Sequence, residues 1–120
     1  MNEPIPTELK LRTESRLLAV TFDDGTRFEL PLEYLRTHSP SAEVKGHGPG
    51  QEVLVTGKEQ VGIRDIEAVG QYAVRLVFDD GHDPGLYTWK YLYDLGRDQQ
   101  ANLAKYRERV RRAGGESHGD

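Results

Sequence analysis

The densest set of potential metal ligands in the sequence is the segment Asp79-Asp80-Gly81-His82-Asp83. Three carboxylates and an imidazole could together hold a divalent metal ion. The same residue types are typical of a hydrophilic hairpin turn, because Asp and Gly satisfy the backbone geometry of turns. A second Asp-Asp-Gly at residues 23–25 is followed by threonine instead of histidine, which favours the turn interpretation.

A second candidate region is the segment 39–51, which carries three glycines and two prolines and therefore predicts a long loop. Ser39 or Ser41 could act as a nucleophile if His38 or His47 served as its base. Backbone amides around His47 could instead form an anion-binding nest. The segment has neither a nucleophile elbow nor a P-loop pattern, so an ordinary loop is the favoured interpretation.

Some aromatic and basic residues could bind a nucleic acid. Trp89 and its neighbouring tyrosines could form a stacking platform, although core packing is the more common role of such residues. Residues 97–112 carry a net charge of +4, whereas residues 1–96 carry −6. Because the acidic body opposes the basic segment, a solvated helix is favoured and nucleic-acid binding is not expected.

Composition excludes several classes of site. The chain has 120 residues and no cysteine, which rules out disulfides, thiolate nucleophiles and cysteine-ligated metal centres. Its longest apolar run, Leu17–Val20, is far shorter than a membrane span. The first twelve residues lack the pattern of a secretory signal, so we expect a cytoplasmic protein.

Hairpins must position these residues. Residues 19–26 resemble residues 75–82, and each copy precedes a further strand and a Tyr-Leu pair, at 34–35 and 91–92. Asp-Gly between alternating apolar runs predicts a hairpin with a type I′ turn. A phase slip near Asp65 predicts a bulge or two short strands, and Gly96 predicts a helix end. We expect an α+β fold: a small antiparallel sheet of hairpins, short helices and a C-terminal helix.

The predicted domain covers residues 1–112, with a core at about 8–96 and a basic helix at about 98–112. Residues 113–120 are glycine-rich and polar, and we expect them to form a disordered tail.

Four ordered motifs resemble a known family: residues 39–50, Thr56-Gly-Lys58, residues 78–89 and Tyr91–Gly96. Together they resemble the DUF971 family, also called the gamma-butyrobetaine hydroxylase-like N-terminal domain, and most of all its stand-alone bacterial members. The family also occurs fused to 2-oxoglutarate/iron dioxygenases and to P-loop ATPases that carry iron–sulfur clusters. The resemblance implies an accessory domain, because the dioxygenase chemistry lies in the other domain.

In those dioxygenases the family binds a structural zinc ion through three cysteines and a histidine. The resemblance places the cysteine positions at Ser39, Ser41 and Val44 and the histidine at His82. Serine hydroxyls are poor zinc ligands and valine is none, so this zinc site should not form. A replacement site would combine His82 with His47 or Asp83.

We therefore expect a non-enzymatic interaction domain without cofactor, whose partner is a protein, with iron–sulfur or iron-enzyme machinery as the candidate class. The alternative is a metal- or small-ligand-binding protein that uses His82 and neighbouring carboxylates. The candidate face combines the 39–50 loop with the Asp79–Gly85 turn. Its residues are Ser39, Ser41, Glu43, His47, Asp79, Asp80, His82, Asp83 and Trp89.

Overall fold

Two small antiparallel sheets and four helices make up the described part of the chain, which in the computed structural model comprises residues 3–45 and 53–118. The elements in chain order are β1 Pro6–Arg12, β2 Leu17–Phe22, β3 Arg27–Pro31, α1 Leu32–Thr37, α2 Ala42–Lys45, β4 Ile63–Val69, β5 Ala73–Phe78, β6 Leu86–Thr88, α3 Trp89–Arg97 and α4 Gln99–His118. The strand orders are β1-β2-β3 and β4-β5-β6. The α+β class is confirmed, with two three-stranded sheets where the sequence predicted one.

The internal sequence similarity corresponds to a structural repeat. In both copies the glycine adopts a left-handed conformation, with φ of 87° at Gly25 and 91° at Gly81. Its N–H donates to the carbonyl of the preceding phenylalanine, Phe22 or Phe78. The predicted type I′ turn is wrong, because it requires a positive φ at Asp24 as well. A left-handed glycine that follows a tight turn closes the hairpin instead.

Two reciprocal tyrosine contacts join the repeats. The Tyr34 hydroxyl in α1 donates to the Leu95 carbonyl of α3 at 2.6 Å. The Tyr91 hydroxyl in α3 donates to the His38 carbonyl at the end of α1, also at 2.6 Å. His38 lies four residues after Tyr34, and Leu95 lies four residues after Tyr91. The tyrosine of each helix therefore caps the C-terminal end of the other helix in the same way. These bonds satisfy the terminal carbonyls of two short helices inside the protein.

One hydrophobic core connects the sheets. Every second residue of β2 and β5 belongs to this core, and α1 and α3 contribute further residues. The fully buried core residues are Leu18, Val20, Leu30, Leu35, Leu76, Phe78, Tyr87 and Leu92. The predicted bulge is confirmed as a register shift between Ile63 and Asp65 in β4. Helix α4 packs Leu103 on this core, and its Tyr106 hydroxyl donates to the Val55 carbonyl at 2.7 Å.

Two helices end later in the structure than the sequence predicted. Helix α3 continues through Gly96 to Arg97, and a Cβ at Gly96 would lie only 2.2 Å from the Phe28 ring. That glycine therefore permits close packing and does not end the helix. Helix α4 extends to His118, beyond the predicted tail boundary at residue 113. Gly114 is not left-handed, and a helical glycine costs only about 1 kcal/mol, so it does not end this helix.

Among the described residues, no helix has both the length and the apolar composition needed to cross a bilayer.

Candidate functional site

The fold brings the start of the 39–50 loop against the Asp79–Gly85 turn. The His82 Nε2 atom lies 2.9 Å from the Ser39 Oγ and 3.4 Å from the Ser41 Oγ. Ser39 is fully buried, and Ser41 and His82 are 8% and 5% exposed. Three of the four positions that the resemblance assigned to a shared site therefore meet, although the histidine lies more than forty residues after the serines along the chain. We call these three residues the serine–histidine cluster.

Local backbone geometry presents these side chains to each other. The Ser41 N–H donates to the Ser39 Oγ at 3.3 Å, which tightens the turn before α2. The His82 N–H donates to the Asp80 Oδ1 at 3.1 Å, which fixes the hairpin loop from its own side. A Cβ at Gly85 would lie 2.5 Å from the Ser39 Oγ. Only glycine at that position lets the turn approach the serine this closely.

A second interaction network lies beneath the turn. The Asp80 Oδ2 pairs with the Arg36 Nε at 2.9 Å and with the Lys58 Nζ at 2.7 Å. Burial raises the Asp80 pKa, but the bonds from Lys58, the His82 N–H and Arg36 outweigh burial and lower it to about 2. Asp80 is therefore ionised at neutral pH and anchors the turn to α1. The Arg36 Nη1 is buried and finds no partner among the described residues.

The acidic residues of the turn do not converge. Asp79 is exposed, and its N–H donates to the Gly62 carbonyl at 2.9 Å. The Asp83 carboxylate pairs with Arg75 at 3.3 Å. The Asp80 carboxylate pairs with Arg36 and Lys58. In the part of the chain that the structure describes, no three His, Asp or Glu side chains are placed to share a metal ion.

The residues at the zinc positions of the fused dioxygenases do not fit zinc. Two of the four positions supply neutral hydroxyls, and the third is Val44, which is 7% exposed and has no donor atom. His82 contributes the one strong nitrogen ligand of the set. Zinc sites in proteins are built from thiolates, imidazoles and carboxylates. The serine–histidine cluster is therefore held by hydrogen bonds.

Three other candidate residues lie away from the cluster or cannot be assigned to it. Glu43 lies in α2, and His47 falls outside the described residues. Trp89 follows β6, which pairs with the beginning of β5, whereas His82 follows the end of β5. The two ends of this six-residue strand are about 17 Å apart at about 3.3 Å per residue. The Trp89 Nε1 donates to the Gln71 carbonyl at 2.7 Å.

Sequence reasoning missed the two cations that hold Asp80. Lys58 was noted only as part of a motif, and Arg36 was not singled out. Both residues lie in segments whose local pattern says nothing about Asp80, which is 44 residues from Arg36. An isolated buried arginine does imply a distant acidic partner, but the sequence does not show that Arg36 is buried.

The chemistry of the Ser39–His82 pair is limited by access. A hydroxyl 2.9 Å from an imidazole nitrogen has the spacing of a nucleophile and its base. A substrate must reach the hydroxyl oxygen, however, and Ser39 has no exposed surface. The pair can therefore support the loop and the turn, but it cannot attack a bound molecule in this conformation.

Comparison with known proteins identifies the family. The sequence model described as gamma-butyrobetaine hydroxylase-like, N-terminal, matches residues 9–93. The chain belongs to this family. The match covers both sheets, the serine–histidine cluster and most of α3, so the family resemblance expected from the motifs is confirmed.

Solved structures share the fold of this family member. One NMR solution structure has 53% sequence identity and a TM-score of 0.82, covering 94% of this chain and 84% of that chain. A second has 44% identity and a TM-score of 0.80, covering 94% and 89%. A crystal structure of a DUF971-family protein of unknown function from Acidithiobacillus ferrooxidans has 38% identity and a TM-score of 0.64, covering 76% and 91%. The chain matches no curated protein.

Proposed function

We propose that this protein is a non-enzymatic interaction domain whose binding face is formed by residues 39–45 and the Asp79–Gly85 turn. The observation that carries the proposal is the complete burial of Ser39 beside His82. The Ser39–His82 pair has the spacing of a nucleophile and its base, but it holds two segments of the chain together. A rigidly supported surface turn is a common form of binding site.

The turn has the properties of a recognition element. Its base is fixed by Asp80, which Arg36 and Lys58 hold in place, and its tip exposes Asp79 and Asp83. An ordered loop loses little conformational entropy on binding, which favours affinity. The two exposed carboxylates favour a partner that presents basic side chains to them.

The partner that we propose is a protein in the cytoplasm, and its suggested class is iron–sulfur or iron-enzyme machinery. That class rests on the domain fusions of the family and is therefore an analogy. We further propose that the serine–histidine cluster is a degenerate zinc site, in which hydrogen bonds perform the cross-linking role of the metal. The alternative function, metal binding through His82, gains no support from Asp80 and Asp83, because both carboxylates pair with cations.

Affinity capture with charge-reversed variants tests the proposed face. The double variant Asp79→Lys/Asp83→Lys should lose a partner captured by the wild-type protein from extracts of its source cell, by about tenfold or more, because rim charges steer recognition. The matched control, Glu8→Lys/Glu29→Lys, makes the same charge change at exposed positions of the other sheet. It should retain the partner. Equal retention by both variants would contradict the proposed face.

A thermal-shift measurement separates the two functions. If the cluster is held by hydrogen bonds, added Zn²⁺ should leave the melting temperature of both the wild type and His82→Ala unchanged. If His82 holds a metal ion, Zn²⁺ should raise the melting temperature of the wild type alone, since a ligand of the native state stabilises it. That second result would favour the alternative function.

A further inference from the structure

A small cavity with two cationic side chains lies beside the serine–histidine cluster. Its volume is about 100 Å³, and its walls include His38, Val44, Val53 and Tyr91. Thr37 and Ser39 also line it, and Lys45 and Arg109 reach it from α2 and α4. The cavity therefore forms where the loop after α1 meets the C-terminal helix, and the proposed function does not account for it.

Both cations lack an acidic partner among the side chains that the structure describes. In α4, Arg111 and Arg112 pair with Glu108. Arg109 forms no such pair with a described side chain, and neither do Lys105 and Arg107, which lie away from the cavity. The Lys45 Nζ lies 4.6 Å from the centre of the Tyr91 ring, which holds the ammonium group over the cavity wall. Two unmatched positive charges at one small cavity favour a negatively charged ligand.

The remaining wall groups are already satisfied. The Tyr91 hydroxyl donates to the His38 carbonyl at 2.6 Å, and the His38 Nδ1 lies 3.1 Å from the Tyr34 carbonyl. Val44 and Val53 contribute apolar surface. The Thr37 hydroxyl donates to the Glu33 carbonyl, and the Ser39 hydroxyl is paired with His82. The groups left to bind a ligand are therefore the two charged donors, and a few polar groups on a partly apolar wall are usual for a small-ligand site.

We propose that this cavity binds one small oxyanion, a carboxylate or a phosphate group, between Lys45 and Arg109. A water molecule occupies about 30 Å³ of liquid, so a cavity of about 100 Å³ has room for a few heavy atoms. That size suits a single oxyanion group. The group belongs to a free small molecule or to the side chain of a bound polypeptide.

His38 gives a spectroscopic signature of binding. Burial is the main cause that lowers the His38 pKa from 6.5, and the nearby positive charges of Arg109 and Lys45 lower it further, against the hydrogen bond to Tyr34. A bound anion offsets those two charges and favours the protonated imidazole. The titration of the His38 ring should therefore move to higher pH when the cavity is occupied.

The experiment is an NMR titration of the full chain at constant ionic strength. The probes are inorganic phosphate, acetate and a short end-capped peptide with one glutamate. Saturable shifts at His38, Lys45 and Arg109 support the proposal. Saturation by phosphate or acetate identifies a free small molecule as the source, and saturation by the peptide alone identifies a side-chain carboxylate.

Charge-neutralising variants make the test specific. Lys45→Gln/Arg109→Gln should weaken binding by about tenfold or more, since each lost bond to a charged group contributes about that factor. Both side chains are exposed, so the variant should remain folded. The matched control, Lys105→Gln/Arg107→Gln, removes the same charge from exposed positions of α4 and should bind like the wild type. Absence of saturable shifts, or equal binding by both variants, would overturn the proposal.

Discussion

The substitution Asp80→Asn tests whether the charge network beneath the turn stabilises the protein. The carboxylate pairs with Arg36 and Lys58 at 2.9 and 2.7 Å. Asparagine keeps the shape of the side chain but removes its negative charge. The Arg36 side chain, 11% exposed, then loses its acidic partner in the described part of the chain, which adds to the destabilisation.

The expected magnitude follows from the Asp80 pKa. A fall from 3.8 to about 2 on folding corresponds to about 2 kcal/mol of native-state stability at neutral pH. Solvent reaches one fifth of the side chain, which is 20% exposed, and screening reduces the contribution to about 1–2 kcal/mol. Because folding lowers the pKa, this stability is present above about pH 4 and is lost as the pH falls towards 2.

The assay is urea denaturation of the wild type and of Asp80→Asn at a series of pH values between 7 and 2.5. The wild type should be more stable by about 2 kcal/mol at pH 7. That difference should shrink by about 1–2 kcal/mol between pH 4 and pH 2.5, because in this range the unfolded wild type takes up a proton at Asp80 that the native state does not yet bind. The control is Asp79→Asn, since Asp79 is the exposed neighbour of Asp80.

Two results would refute this reasoning. A difference between the wild type and Asp80→Asn that stays constant with pH would show that the lost stability comes from altered hydrogen bonding and not from the charge. An equal, pH-dependent loss in Asp79→Asn would show that the effect belongs to the overall acidity of the turn. In either case the network of Asp80 would not be what anchors the turn.

Two further predictions concern packing and buried hydrogen bonds. Gly96→Ala places a Cβ 2.2 Å from the Phe28 ring and should lower the free energy of unfolding by about 1–3 kcal/mol in the same urea measurement. Its control is Gly114→Ala in α4, where a Cβ meets nothing within 4 Å. That variant should raise the free energy of unfolding by about 0.5–1 kcal/mol. A loss of stability in both would indicate a general effect of the methyl group. Tyr34→Phe leaves the Leu95 carbonyl without its hydroxyl donor and should cost about 1–3 kcal/mol, with the loss of the Leu95 bond checked by its carbonyl NMR shift.

The candidate site was only partly predictable from the sequence. The motif match placed Ser39, Ser41 and His82 at one site, and the structure brings them together. Their burial could not be predicted, because Ser and His occur mostly at or near protein surfaces. Trp89 was included because it could form a stacking platform with the neighbouring tyrosines. The antiparallel register of β5 and β6, which composition does not reveal, puts it at the far end of the strand.

The sequence by itself determined the local elements of this protein. Alternating apolar residues define the strands, Asp-Asp-Gly sets both hairpins, and a phase slip marks the bulge, since each signal acts over a few neighbouring residues. Only the tertiary structure decided which distant groups meet: Arg36 with Asp80, Gly96 with Phe28, and the helices around the anion-sized cavity. Such contacts depend on how the two sheets pack against each other, and local patterning does not encode that arrangement.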